Sequence, residues 1–234
     1  MSNETRQHTQ SPYLQMPAHQ LLDEFGAGQD TPGSGSAAAL IGVIACKLLR
    51  TVITLTRERE TYKNVFSQLH LIDRSVVERI EPFLIKAIQQ DSDQFHKVII
   101  ERCSRNEATD PKERRKHRDR ALATLRKATE ITLDTAHHTL ELAEHALSVF
   151  DLGFRSARGD SGVAVTAALS ATLGALCVIY LNFKSFGGGR WELRTRDDAD
   201  ALLTRVRSLQ DEWFMRVTRL QEEGVDNPQL EMNL

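Results

Sequence analysis

Apolar residues recur along most of this chain at intervals of three and four, the spacing of one helix face, and no stretch alternates as a half-buried strand would. The clearest stripe runs through Leu69, Ile72, Val76, Ile80, Leu84, Ile88, Phe95 and Ile99, with Pro82 as its kink or restart. A second passes through Leu122, Leu125, Ala128, Thr132, Ala136, Leu140, Ala143 and Leu147. It follows Asp110-Pro111, which supply an N-cap and a first-turn proline. A third, Leu202, Val206, Leu209, Trp213, Val217 and Leu220, predicts a helix from about Thr195 that ends before Gly224, a residue suited to a left-handed cap. Two segments, 37–56 and about 160–183, are apolar around nearly the whole circumference and predict buried helices. A short helix begins at Pro17, carries Leu21, Leu22 and Phe25, and stops at Gly26 and Gly28. The pattern predicts an all-α, single-domain bundle of about six helices over 17–223. Residues 1–16 are expected to be a disordered polar arm and 224–234 a flexible tail.

Composition narrows the function classes. A chain of 234 residues, 41% hydrophobic and 26% charged, is long and apolar enough for one well-filled core. Thirty basic residues against 32 acidic ones leave a net charge of −2, so nucleic acid is not an expected partner. Cys46, Cys103 and Cys177 are odd in number and far apart, which argues against a disulfide framework or a zinc ribbon and for a reducing cytoplasm. The first sixteen residues lack the apolar run of a secretory signal. Residues 161–183 form an uncharged run of 23, long enough to span a membrane, but Ala, Gly, Ser and Thr make it weakly apolar. With no other stretch repeating that pattern, a tightly packed core helix is expected and a membrane is not.

Asp91 is the most informative position. It lies three residues after Ile88 and four before Phe95, on the same stripe as the apolar residues of its helix. A carboxyl buried there without a cation would have a raised pKa, as proton transfer near neutral pH requires. A structural ion pair with Arg114 or Arg126 is the alternative. A second candidate is the loop Pro32-Gly33-Ser34-Gly35-Ser36, which feeds a helix whose N-terminal N–H groups can meet an anion or a polar ring. It lacks the G-K-[ST] ending of a nucleotide loop, and a tight turn with close packing explains it equally well. Asp160 can cap the small-residue helix or face a ligand, and Asn182, among apolar neighbours, must if buried find hydrogen bonds from a ligand or from the backbone. His137, His138, Glu141, Glu144 and His145 share a helix, but no second ligand helix accompanies them, so no metal is expected. The run Lys112, Arg114, Arg115, Lys116, Arg118 and Arg120 is broken by Glu113 and Asp119 and has no interleaved aromatics, which favours a solvated face.

Four segments, in order, resemble the cyclodeaminase/cyclohydrolase family of folate enzymes over roughly 17–222. Thr31-Pro32-Gly33-Ser34-Gly35-Ser36-Ala37-Ala38-Ala39-Leu40 is similar to its P-G-G-G-S-A-A-A opening, and Asp91 with Phe95 to its D-x-x-A-F element. Asp160-Ser161-Gly162-Val163-Ala164 resembles S-D-x-G-V-A, and Gly174-Ala175 through Leu181-Asn182-Phe183 resembles G-A-x-x-N-V-x-I-N-L. The resemblance implies an all-helical homodimer with a folate site at the subunit interface. Asp91 would be the catalytic acid/base, with Pro32, Gly33, Ser34, Gly35, Ser36, Asp160 and Asn182 shaping the substrate pocket. It also implies hydrolysis of 5,10-methenyltetrahydrofolate to 10-formyltetrahydrofolate, or cyclisation of formiminotetrahydrofolate with loss of ammonia. Neither needs a cofactor beyond the tetrahydrofolate substrate, whose glutamate tail the basic run could attract. The pattern is broken at four places: Ser34 replaces a glycine, Ser104-Arg105-Asn106 stands for L-P-K, Phe154 for an Asn, and Val178 for the first Asn of the last motif. These changes keep open a second reading, a diverged helical dimer that binds another molecule or performs another cyclisation. A folate-sized pocket retaining Asp91 would favour the enzyme, and a pocket filled by Phe154 and Tyr180 would favour the second reading.

Overall fold

Seven α segments and no strand occupy the described residues, 13–226, of the computed structural model. They are α1 (Ala18–Gly26), α2 (Ser34–Arg57), α3 (Phe66–Ser75), α4 (Glu81–Glu107), α5 (Pro111–Leu152), α6 (Arg158–Phe183) and α7 (Arg190–Asp226). A π turn at Val76–Ile80 joins α3 to α4 without a loop, so the described residues form six continuous helical stretches, as the periodicity predicts. The stripe itself calls for such a turn. Ile72, Val76, Ile80, Leu84 and Ile88 are spaced by four, and each such step drifts about 40° around an ideal α-helix. A widened turn, closed by the Glu81 N–H on the Val76 carbonyl, takes out part of that drift and keeps all five residues buried. It also accommodates Pro82, which has no N–H to offer the preceding turn.

Asp110 caps α5 as expected, its carboxylate accepting the Lys112 N–H at 3.0 Å, with Pro111 in the first turn. Several boundaries differ from the sequence expectation. Ser34, Gly35 and Ser36 belong to the first turn of α2 and are not loop residues. Helix α6 begins at Arg158 with Ala157 at its N-cap, so Asp160 lies inside the first turn and is not the cap. Helix α7 starts at Arg190, where the Glu192 carboxylate accepts the Gly188 N–H at 2.7 Å and Trp191 packs edge-on against Phe186. It also runs through Gly224 to Asp226, which removes Gly224 from the cap and the first three residues from the expected tail. Of the expected N-terminal arm, Tyr13–Gln15 form a 3-10 turn whose Tyr13 ring is buried and whose Tyr13 N–H meets Gln89 Oε1 at 3.3 Å. Residues 1–12 and 227–234 lie outside the described residues.

The core sits where α2 packs against α4, α5 and α6. Gly42 makes the three-way crossing possible, since a Cβ there would lie 2.9 Å from both Leu84 and the Thr139 methyl. On α6, Ala164, Ala168, Ala171 and Ala175 are fully buried, and the Thr172 hydroxyl donates to Thr139 Oγ1 at 3.0 Å across the contact with α5. Helix α2 as well as α6 is long and apolar enough to cross a membrane, which corrects the expectation of a single such stretch; half of each window is buried inside the bundle.

The far end of α2 is closed by Thr56, whose hydroxyl donates to the Val52 carbonyl at 2.6 Å and accepts the Phe154 N–H at 2.9 Å. Thr56→Val keeps the shape and removes the acceptor. It is expected to cost about 1–3 kcal/mol, read as a fall in Tm of roughly 2–4 °C per kcal/mol. An unchanged Tm would show that the Phe154 amide finds another acceptor.

Candidate active site

Helix α4 sets Asp91 against the opening turn of α2. The Ser36 N–H is one of the donors that no carbonyl within α2 can reach, because the first intrahelical bond runs from the Ala37 N–H to the Gly33 carbonyl. Asp91 Oδ2 takes that donor at 2.9 Å, so the carboxylate of one helix caps another from 55 positions away. The Ser36 hydroxyl lies 3.1 Å from the same oxygen, 2.8 Å from the Ile88 carbonyl and 3.0 Å from Ser92 Oγ. Asp91 Oδ1 has no hydrogen bond from any described residue. Gly35 makes this approach possible, since a Cβ there would fall 2.6 Å from Asp91 Cγ and 2.7 Å from Oδ2. The group that meets this helix start is the protein's own carboxylate, brought in by close helix packing.

Only 8% of Asp91 is exposed, and Ser36 is fully buried. Burial raises the Asp91 pKa above the ordinary carboxyl value, and the side-chain and backbone hydrogen bonds from Ser36 pull the other way without cancelling it. No charged side chain among the described residues takes part. The ion pair considered for Asp91 is not formed, since Arg114 donates to the Ala108 carbonyl and Arg126 to Glu130 at 3.1 Å.

The remaining candidates divide between the two ends of the bundle. Pro32 is buried just before the Gly33 N-cap, while the Ser34 side chain is exposed. Asn182 donates from Nδ2 to Thr129 Oγ1 at 3.1 Å and so finds on α5 a partner that sequence reasoning missed. Gly174 of α6 lies beside Ala38, whereas Gly153 lies against Val52 and Thr56, so the helix that carries Asp160 starts near the far end of α2. Ser36 and Thr56 are 20 residues apart in sequence, about 30 Å along a helix, and Asp160 therefore does not join Asp91 within one chain. Ser92 and the Ile88 carbonyl are further parts of the site that the sequence reading left out. Ser92 carried a faint signal, a hydroxyl directly after the key carboxylate on a core-facing helix.

Phe154 also lies at the far end, with the Arg59 guanidinium 3.6 Å from its ring centroid and Tyr62 edge-on to it. Tyr180 hydrogen-bonds Asp200 and meets Phe183 edge-on. Asn106 is exposed and accepts from Arg105, and Val178 is half-buried on α6. The histidine-rich face of α5 is split among separate partners. His137 meets Asp198 at 3.1 Å, His138 stacks on Phe83, and Glu141 pairs with Arg79 and His145. Lys112, Arg115, Lys116 and Arg120 line a shallow surface groove of about 500 Å³ with Asp119 and Ala123. At about 100° per residue these positions fall on the side of α5 opposite Ala121, Leu125 and Ala128, facing away from the core.

These features define the class as a helical bundle with, among the described residues, one buried carboxyl that has no cation beside it. The chain belongs to the formiminotransferase-cyclodeaminase family, whose sequence profile matches residues 17–200. A methenyltetrahydrofolate cyclohydrolase of Methylorubrum extorquens is 25% identical over 198 residues, covering 84% of this chain and 93% of the relative. The crystal structure of formiminotetrahydrofolate cyclodeaminase from Thermotoga maritima shares the fold, with a TM-score of 0.74 at 17% identity over 91% of this chain and 98% of that one.

Proposed function

We propose that this protein is a folate one-carbon enzyme that hydrolyses 5,10-methenyltetrahydrofolate to 10-formyltetrahydrofolate. The observation that carries the reading is the Asp91 carboxyl, buried without a cation, held through Oδ2 and unbonded at Oδ1. Water adds to the methenyl carbon, and ionised Asp91 takes a proton from it. The carboxyl then gives that proton to N5 as the C–N5 bond breaks, and a second proton leaves to solvent as the formyl group forms on N10. The tetrahydrofolate is substrate, and the reading calls for no cofactor besides it. The profile match favours a second reaction on the same carboxyl: N10 attacks the protonated formimino carbon of formiminotetrahydrofolate, the carboxylate takes the N10 proton and returns it to the departing nitrogen, and ammonia leaves as the C–N bond breaks.

The test is the decay of methenyl absorbance with and without protein, corrected for spontaneous hydrolysis, beside ammonia release from formiminotetrahydrofolate. Acceleration of the first supports the cyclohydrolase and of the second the cyclodeaminase. Failure of both removes the folate reading.

The same reading includes a homodimer with the site completed across its interface. It is supported by the side of α2 and α6 turned away from α5. There α2 exposes Ser34, Ile41, Ile44, Lys47 and Thr51, with Lys47 as the one charge among them, and α6 exposes the uncharged Val163, Thr166, Ser170, Gly174, Cys177 and Leu181. A two-fold axis across these rows would reverse the helices and bring the Asp160 end of one copy to the Asp91 end of the other. Ile44 is 49% exposed at the centre of the α2 row. Ile44→Asp is expected to give a folded monomer by sedimentation equilibrium with turnover lost; a dimer that persists with full activity would place the interface elsewhere.

A further inference from the structure

The Ser36 hydroxyl has three neighbours within hydrogen-bond distance and one proton to give. The Ile88 carbonyl, at 2.8 Å, only accepts, and so does ionised Asp91 Oδ2, at 3.1 Å. One hydroxyl proton serves one of them at a time. Ser92 Oγ, at 3.0 Å, can donate into a Ser36 lone pair in either arrangement. The Ser36 N–H holds Oδ2 at 2.9 Å whichever way the hydroxyl turns, which disfavours a proton on that oxygen and leaves Oδ1 to carry it.

We propose that Ser36 is a positioning residue that follows the protonation state of Asp91, donating its hydroxyl to Oδ2 while the carboxyl is ionised and to the Ile88 carbonyl once Oδ1 is protonated. The inference rests on Asp91 being the acid/base group of the proposed function. A proton-transfer carboxyl passes through both states in every turnover, and in a buried place each state needs its own hydrogen-bond pattern. Rotation of one hydroxyl supplies both without moving a heavy atom. Gly35 and Ser36 of α2 face the carboxyl, and Ile88 and Ser92 of α4 meet the Ser36 hydroxyl. The nearest acid on its own helix, Asp93, is held by Gln89 at 2.9 Å, and no charged group of α2, α5 or α6 contributes to the Asp91 equilibrium.

The test is a carboxyl ¹³C titration of the full chain labelled at aspartate, with Asp91→Asn to assign the resonance, on wild type, Ser36→Ala and Ser36→Cys. Loss of the hydroxyl in Ser36→Ala removes a donor from the ionised form and is expected to raise the Asp91 midpoint by about one pH unit. Ser36→Cys keeps a weak donor and is expected to fall between. The pH profile of kcat moves with the midpoint while KM stays, a combination that a purely structural serine does not produce. A midpoint unchanged in both variants overturns the inference, even if folate is turned over. If the midpoint shifts as expected but wild type turns over no folate, the hydroxyl switch stands and the folate reading falls.

Discussion

Asp91→Asn is expected to fold like the wild type and to lose about 10²–10⁴-fold in kcat, the usual contribution of a positioned acid/base group. The amide keeps an oxygen for the Ser36 N–H, so the cap on α2 survives; what disappears is the group that takes and returns the proton. The substitution also has a stability signature. Because burial raises the folded pKa of Asp91 above its unfolded value, the native chain holds the extra proton between those two values. Stability from this group is therefore present at low pH and is lost as pH rises through that window. In Asp91→Asn this component vanishes, and the variant is expected to be as stable as wild type, or more so, at neutral pH. Urea titrations across the acid range together with kcat check both halves. Full turnover by the variant would end the catalytic assignment, and a loss of folding would move Asp91 from chemistry to architecture.

Gly35→Ala is expected to lose about 10²-fold in activity with only a modest change in stability, because two effects on stability oppose each other. Alanine in place of glycine within a helix gains about 1 kcal/mol, whereas forcing a methyl into a filled core costs about 1–3 kcal/mol. The new Cβ would sit within 2.7 Å of both Cγ and Oδ2 of Asp91, and the carboxyl, at the end of a short side chain, must turn aside. A misplacement of about 1 Å in a reacting group can cost on the order of 10²-fold. Activity and Tm measured side by side separate the outcomes: loss of activity at a near-native Tm supports a displaced carboxyl, and unchanged activity would show that Asp91 tolerates the methyl and that Gly35 has no part in the site.

Much of this structure was legible in the sequence because helical periodicity is a local signal. The stripes of α4, α5 and α7, the Asp110 cap and the apolar circumference of α2 and α6 all follow from residues within a turn or two of each other. Element ends were less legible where a cap comes from elsewhere. Helix α2 begins at Ser34 because a carboxylate 55 positions later receives its Ser36 N–H, and α7 begins at Arg190 because Glu192 reaches back to Gly188. In the site, Asp91 stood out as a carboxylate on an apolar stripe, and glycine at 35 hinted at a close approach. The pairing of the two segments was not visible in the residues taken singly. Asp160 and Asn182 were readable as polar residues near small-residue packing, but nothing local says that Asp160 lies at the opposite end of α2 or that Asn182 is answered by Thr129.

The remote cap has a consequence for how the molecule comes into being. A bond between residues 36 and 91 cannot be preformed by any local segment, so loop closure over the intervening chain must come first. Until α4 docks, the opening turn of α2 frays and Asp91 sits hydrated, with the acidity of an ordinary aspartate. The raised proton affinity of Asp91 then does not grow by degrees as helices form; it comes with the long-range closure that docks α4 on α2.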